Sequence, residues 1–310
     1  MGKNDRAAKL FFALLNLARL RIVGMELVAC ATGFILAYRG EFLLPLFSCT
    51  LLGTAFLSAG ACAVNCYLER EQDALMPRTC KRPIPAGTIS AIAGLSYGMS
   101  LLTAGFLLLV GQVNMLAAGL GLAAAVIYLA VYTPAKRVTW LNTSIGAIPG
   151  AIPPLIGWAA ARGQIDLGGW ILFAMLFVWQ HTHFFPIAWL YKDDYEKGGF
   201  KMLPVVEATG VKTFRLTLLT AVALLPVSMM LCGQAKTGTA YGVGTILSCL
   251  LLIAASFQLA QKPSRAAARK VLLVSLIYLP ILLGAVVIDR YGGECGSQVH
   301  AWLGTVWRWT

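Results

Sequence analysis

The sequence predicts an all-α, polytopic membrane protein, a bundle of nine transmembrane helices forming one domain over residues 1–310. Three observations carry that expectation. Of the 310 residues, 58% are hydrophobic and only 12% charged, about half the charged share of a soluble domain. The apolar residues fall in runs of roughly 20, the length a helix needs to cross a bilayer. These runs lack the alternation that would mark a membrane barrel. When they are threaded alternately through a membrane, all but five of the 25 Lys and Arg fall on the N-terminal side.

Taken in order, residues 1–20 carry Lys3, Arg6, Lys9 and Arg19 between apolar residues. That pattern suits an amphipathic helix lying on the inner membrane surface, and no removed leader is expected. The spans are expected at about 22–38, 43–68, 89–110, 113–132, 141–160, 168–191, 213–232, 240–260 and 271–289. The five exceptional cations are Arg39, Arg162, Lys236, Arg290 and Arg308. Such asymmetry places the N-terminus in the cytoplasm and the C-terminus outside. The net charge of +12 is then a matter of orientation in the bilayer, and no nucleic-acid partner is expected. Eight cysteines, Cys30, Cys49, Cys62, Cys66, Cys80, Cys232, Cys249 and Cys295, are scattered without a C-x-x-C pair. They read as small buried apolar residues, not zinc ligands.

The acids need a separate explanation, because positive-inside topology requires only Lys and Arg. Glu69, Glu71, Asp73, Asp193, Asp194, Glu196 and Glu207 cluster at the ends of the second and sixth spans or just beyond them. Asn65, Glu69 and Asp73 recur at i, i+4, i+8, so a helix sets them on one stripe with a drift of about 40° per step. A solvated helix end accounts for Arg70 and Glu71. It accounts poorly for Asn65, which lies deeper in an apolar run where an unpaired amide is costly. An open stripe of oxygen donors suits Mg²⁺, which keeps waters and shares phosphate oxygens. Asp193 and Asp194, adjacent in Y-K-D-D-Y, cannot face one direction on a helix. If both clusters face one cavity, one or two Mg²⁺ ions would hold a diphosphate there. Arg78, Lys81, Arg82, Lys136, Arg137 and Lys192 are the candidate diphosphate-binding cations, with membrane orientation alone as the competing reading. Arg82, directly before Pro83, is expected to be extended. Lys136 and Arg137 follow a proline turn in Y-T-P-A-K-R.

The fifth span, N-T-S-I-G-A-I-P-G-A-I-P-P-L-I-G-W, must be broken or kinked by its prolines. The sixth holds His181 and His183 in W-Q-H-T-H-F-F-P. At i, i+2 they do not share a helix face, so a zinc pair is not expected. Aromatic residues Phe173, Phe177, Trp179, Phe184 and Trp189 pack against core or lipid by default, and some would shelter a carbocation. A short echo, D-A-L-M-P after the second span and D-Y-E-K-G-G-F-K-M-L-P after the sixth, hints at duplication of a helical unit.

These motifs resemble those of the UbiA-type intramembrane prenyltransferases. The stretch N-x-Y-x-E-x-x-x-D-A-x-M-x-R-T-x-x-R-P-x-P-x-G-x-I-S from Asn65 to Ser90 is similar to the protohaem IX farnesyltransferase branch. Tyr132–Thr133 with Lys136–Arg137, Gly150–Trp158, Trp179–Phe184 and Asp194–Val205 extend the resemblance over roughly residues 20–290. The sequence departs from the family pattern at Thr182 and Lys201, where proline is usual. The resemblance implies a UbiA-type bundle in the bacterial cytoplasmic membrane, with its active site facing the cytoplasm. It implies Mg²⁺-dependent transfer of a farnesyl group from farnesyl diphosphate to a vinyl group of haem B, with addition of water. Asn65, Glu69, Asp73, Asp193 and Asp194 would be its catalytic metal ligands, and His183 or His181 a haem contact. A downstream haem A synthase or terminal oxidase would take the product. The alternatives are prenylation of a quinone precursor and, in another class, a transporter or non-catalytic haem carrier.

Overall fold

The computed structural model describes the backbone of residues 3–232 and 237–306, and the side chains of residues 8–232, 237–282, 284–286, 288 and 289. Lys236, Arg290, Cys295 and Arg308 lie outside the described side chains. Among the described residues, nine helices are long and apolar enough to cross a membrane, and there is no strand.

The chain opens with α1 (Lys3–Leu17) and α2 (Leu20–Ala37). Along α1, Leu10, Phe11 and Phe12 are exposed while Ala13 and Leu17 are buried, the two-sided distribution expected of an interfacial helix. Arg19, between the helices, has φ +48, a left-handed conformation that a side chain seldom adopts. The second span is α3 (Leu44–Leu68), followed by the short α4 (Arg70–Leu75). Glu69 separates the two, yet the bonds Glu69 N–H to Asn65 O (2.9 Å) and Asp73 N–H to Glu69 O (2.8 Å) carry the helical spacing across the junction. The stripe expected from the sequence therefore survives the break.

The third span is α5 (Ala91–Gln112), started by the Ser90 hydroxyl accepting from Ala93 N–H. The fourth corrects the sequence expectation. Helix α6 (Met115–Val126) passes through a π-helical segment, Ile127–Tyr132, into α7 (Thr133–Val138). Pro134 falls in the first turn of α7, where its missing N–H is harmless, so Lys136 and Arg137 are helical, not loop, residues. The fifth span divides at Ile152 into α8 (Asn142–Ala151) and α9 (Pro153–Arg162). The sixth is α10 (Leu167–Leu190); α11 (Lys192–Lys197) and α12 (Leu203–Val206) follow it. The last spans are α13 (Val211–Met229), α14 (Thr239–Gln261) and α15 (Arg265–Val306).

Two cores hold the bundle together. One joins α2, α3, α5, α6 and α9 around Phe34, Leu57, Leu109 and Ile156. The other joins α10, α13, α14 and α15 around Leu172, Leu224, Leu252 and Tyr278. In lipid, helices associate by close packing over small residues. A Cβ at Gly157 would overlap the Cys30 carbonyl oxygen of α2, and one at Gly60 would stand 2.7 Å from Gly98 O of α5. These approaches bring the helices of the first core close, and a cavity lies among α2, α3, α6, α8, α9 and α10.

Candidate active site

The cavity holds about 390 Å³, within the range of small-molecule sites. One end is charged. Asp73 and Glu69 line it from α4 and the α3–α4 junction, with Arg78, Thr79 and Arg82 from the loop that follows and Lys136 from α7. The other end is largely apolar, formed by Leu57, Ile156, Gly121 and Ala125.

Each buried acid has a cation. Arg82 Nη1 donates to Asp73 Oδ1 and Oδ2 at 2.7 and 2.6 Å, and Asp73 is fully buried. Lys136 Nζ donates to Glu69 Oε1 at 2.7 Å, with both side chains buried. Lys136 also lies 4.5 Å above the Tyr132 ring, a favourable cation–π contact. The π-helical segment presents both Tyr128 and Tyr132 to the cavity; such segments gather at functional sites. Asn65 Nδ2 donates to Thr133 Oγ1 at 2.9 Å, while its buried Oδ1 has no hydrogen-bond partner. An orphaned buried acceptor is costly. With the carboxylates of Glu69 and Asp73 it offers oxygen donors of the kind Mg²⁺ takes.

The second acidic patch stands outside the cavity lining and contacts one lining residue, Arg78. Its Nε lies 4.0 Å from Asp194 Oδ2, and its guanidinium lies 4.6 Å from the Tyr191 ring and 5.6 Å from that of Tyr195. Burial pushes the Tyr195 phenol above its ordinary pKa, and the Arg78 charge partly offsets this. Asp193 points to solvent, so the neighbouring aspartates separate as their adjacency requires. Among the described residues, no three His, Cys, Asp or Glu side chains converge on one metal position. Met76 and Met202, the paired methionines of the internal echo, pack in one cluster with Phe200 and Ala188. That cluster holds the two loops together.

The remaining candidates stand outside the cavity lining. Lys81 is exposed. Arg137 donates to Gln72 Oε1 at 2.6 Å, and Lys192 lies 4.8 Å over the Trp189 ring. His181 is held by Ser144 Oγ (2.8 Å) and the Phe177 carbonyl (2.7 Å). His183 bonds Ser275 Oγ of α15 at 2.8 Å and stacks on Trp179, 4.9 Å between centroids. Both histidines are thus engaged in helix packing.

The model of the UbiA prenyltransferase family matches residues 27–279. The chain belongs to the UbiA prenyltransferase family. Relatives named protohaem IX farnesyltransferase include one from Solibacter usitatus, 43% identical over 78% of this chain and 83% of the relative. Another, from Synechococcus elongatus, is 38% identical over 93% and 92%. Among solved structures, a UbiA homologue from Aeropyrum pernix K1 has a TM-score of 0.68 at 22% identity, covering 87% of this chain and 98% of that one. A UbiA homologue from Archaeoglobus fulgidus bound to GPP and Mg²⁺ has a TM-score of 0.64 at 16% identity, covering 88% and 99%. These structures share the fold of the nine-span bundle. This UbiA family member is therefore an integral membrane prenyltransferase.

Both departures from the family pattern have local partners. Lys201 N–H donates to the Lys136 carbonyl at 2.7 Å, a bond no proline could make. Thr182 Oγ1 donates to Thr220 Oγ1 of α13 at 2.8 Å. Among the cavity residues of this family member that sequence reasoning did not assign to the site are Arg19, Glu26, Tyr128 and Tyr132. Arg19 reaches Cys66 Sγ at 3.6 Å, and its buried Nε has no partner. The signal for Glu26 was present, since a carboxylate inside an apolar span marks a functional site by default.

Proposed function

We propose that the chain is a protohaem IX farnesyltransferase, which joins the farnesyl group of farnesyl diphosphate to a vinyl group of haem B and adds water, giving haem O and diphosphate. One observation carries this reading. Two buried acids, each held by a cation in the pairs Asp73–Arg82 and Glu69–Lys136, stand at one end of a membrane-embedded cavity whose other end is largely apolar. The charged end suits a diphosphate and the apolar end an isoprenoid chain.

Arg82 and Lys136 exchange their carboxylate partners for phosphate oxygens and stabilise the departing diphosphate. In a site shielded from water, fixed charges act more strongly than in solution. Asn65, Glu69 and Asp73 would hold Mg²⁺, with Asp194 beside Arg78. When bound, the metal supplies charge neutralisation of the diphosphate. The faces of Tyr128, Tyr132 and Phe184 shelter the allylic cation by cation–π attraction, and the apolar wall delays its capture by water. The histidines, committed to helix packing, have no part in this reading.

The Lys and Arg asymmetry supports an orientation with the charged end toward the cytoplasm of a bacterial inner membrane. Haem O would pass to a haem A synthase or a terminal oxidase in the same membrane. Reconstituted protein supplied with haem B, farnesyl diphosphate and Mg²⁺ should yield haem O by mass analysis. Prenylation of an aromatic acid with haem B left unchanged would overturn the haem assignment.

A further inference from the structure

Glu26 lies in the interior of α2, within a membrane span, and its carboxylate lines the cavity. Among the described residues no Lys, Arg or His pairs with it. Its polar neighbour in the cavity lining is Ser58 of α3. A carboxylate inside a span, without a cation, is expensive to keep, and the diphosphate machinery does not use it. Ser58 stands two turns along α3 from Asn65, about 10 Å toward the membrane interior. That distance matches the reach from a held diphosphate, across farnesyl C1 and the terminal vinyl carbon, to the vinyl carbon attached to the haem ring.

We infer that Glu26 is the base that delivers water to the haem-derived cation, with Ser58 positioning its carboxylate. The inference rests on the haem reading of the site. The C1–O bond of farnesyl diphosphate breaks and its electron pair leaves with diphosphate. The terminal vinyl carbon bonds C1, and the positive charge moves to the carbon next to the ring. Water oxygen bonds that carbon, and its proton passes to the Glu26 carboxylate, then to diphosphate or bulk solvent. No oxidant is required. Without the base, the same cation loses a proton from its neighbouring carbon and gives an alkene one water lighter than haem O.

The test uses purified full-length protein in nanodiscs with haem B, farnesyl diphosphate and Mg²⁺, read by mass analysis of all haem products. For wild type, haem O should dominate, with oxygen taken from isotopically labelled water. Glu26→Gln should keep haem consumption within several-fold while the ratio of haem O to alkene falls about 100-fold, the scale of general base catalysis. Glu26→Asp should restore part of that ratio. Haem O as the main product of Glu26→Gln would overturn the inference, as would complete loss of prenyl transfer in a variant that melts like wild type. If Glu26→Gln does not fold, Ser58→Ala decides: a mixture of alkene and haem O supports the inference, and haem O alone overturns it. Wild type that leaves haem B unprenylated would overturn the haem reading itself, and this inference with it.

Discussion

Lys136 Nζ sits 2.7 Å from Glu69 Oε1, and these two buried side chains join α7 to the α3–α4 junction. Neutralising one member leaves an uncompensated buried charge, which costs about 3–5 kcal/mol. Glu69→Gln or Lys136→Met should each lower the unfolding temperature in detergent clearly. The double variant should recover most of that loss while remaining inactive, because the proposed function gives both groups a role at the diphosphate. A double variant no more stable than the singles would contradict the pairing.

Asp73 has Arg82 as its ion-pair partner and carries the stripe that begins at Asn65. Asp73→Asn should keep a cooperative thermal transition and lose about 100-fold or more in turnover. Isothermal titration should show weakened Mg²⁺ uptake in the presence of a non-hydrolysable diphosphate analogue. Unchanged metal uptake would remove Asp73 from the ligand set.

His183 bonds Ser275 and stacks on Trp179, whose indole N–H donates to the Ser275 carbonyl at 2.9 Å. His183→Ala should therefore cost about 2 kcal/mol of stability and leave the KM for haem within about twofold of wild type. A rise in that KM at unchanged stability would return the histidine to the haem site.

At Gly157 the α2 and α9 backbones meet with no room for a side chain. Gly157→Val should force them apart at a cost of about 3 kcal/mol, seen as an early melt. Gly24, with open space around its Cβ position, is the control, and Gly24→Ala should melt like wild type.

Most of the bundle was legible because hydropathy and span length act locally. Each observed span begins within a few residues of its expected position, apart from the ninth, which starts earlier at Arg265. The Asn65–Asp73 stripe was legible for the same reason, since helical spacing continues through Glu69. What stayed hidden depends on distant partners. The bond from His183 Nδ1 to Ser275, 92 positions away, could not be read from local spacing. Arg137 and Lys192 resemble Lys136 in sequence, and only packing shows which cation turns inward. Pro134 suggested a turn, but the first turn of α7 accommodates it.

The π-helical segment ahead of Lys136 sets a register as well as a shape. An added residue in one turn rotates every later side chain by about 100° about the axis. Deleting a single apolar residue between Ile127 and Tyr132 would leave hydropathy and charge nearly untouched. It would nonetheless turn Lys136 away from Glu69, disarming the site without touching any residue that carries charge.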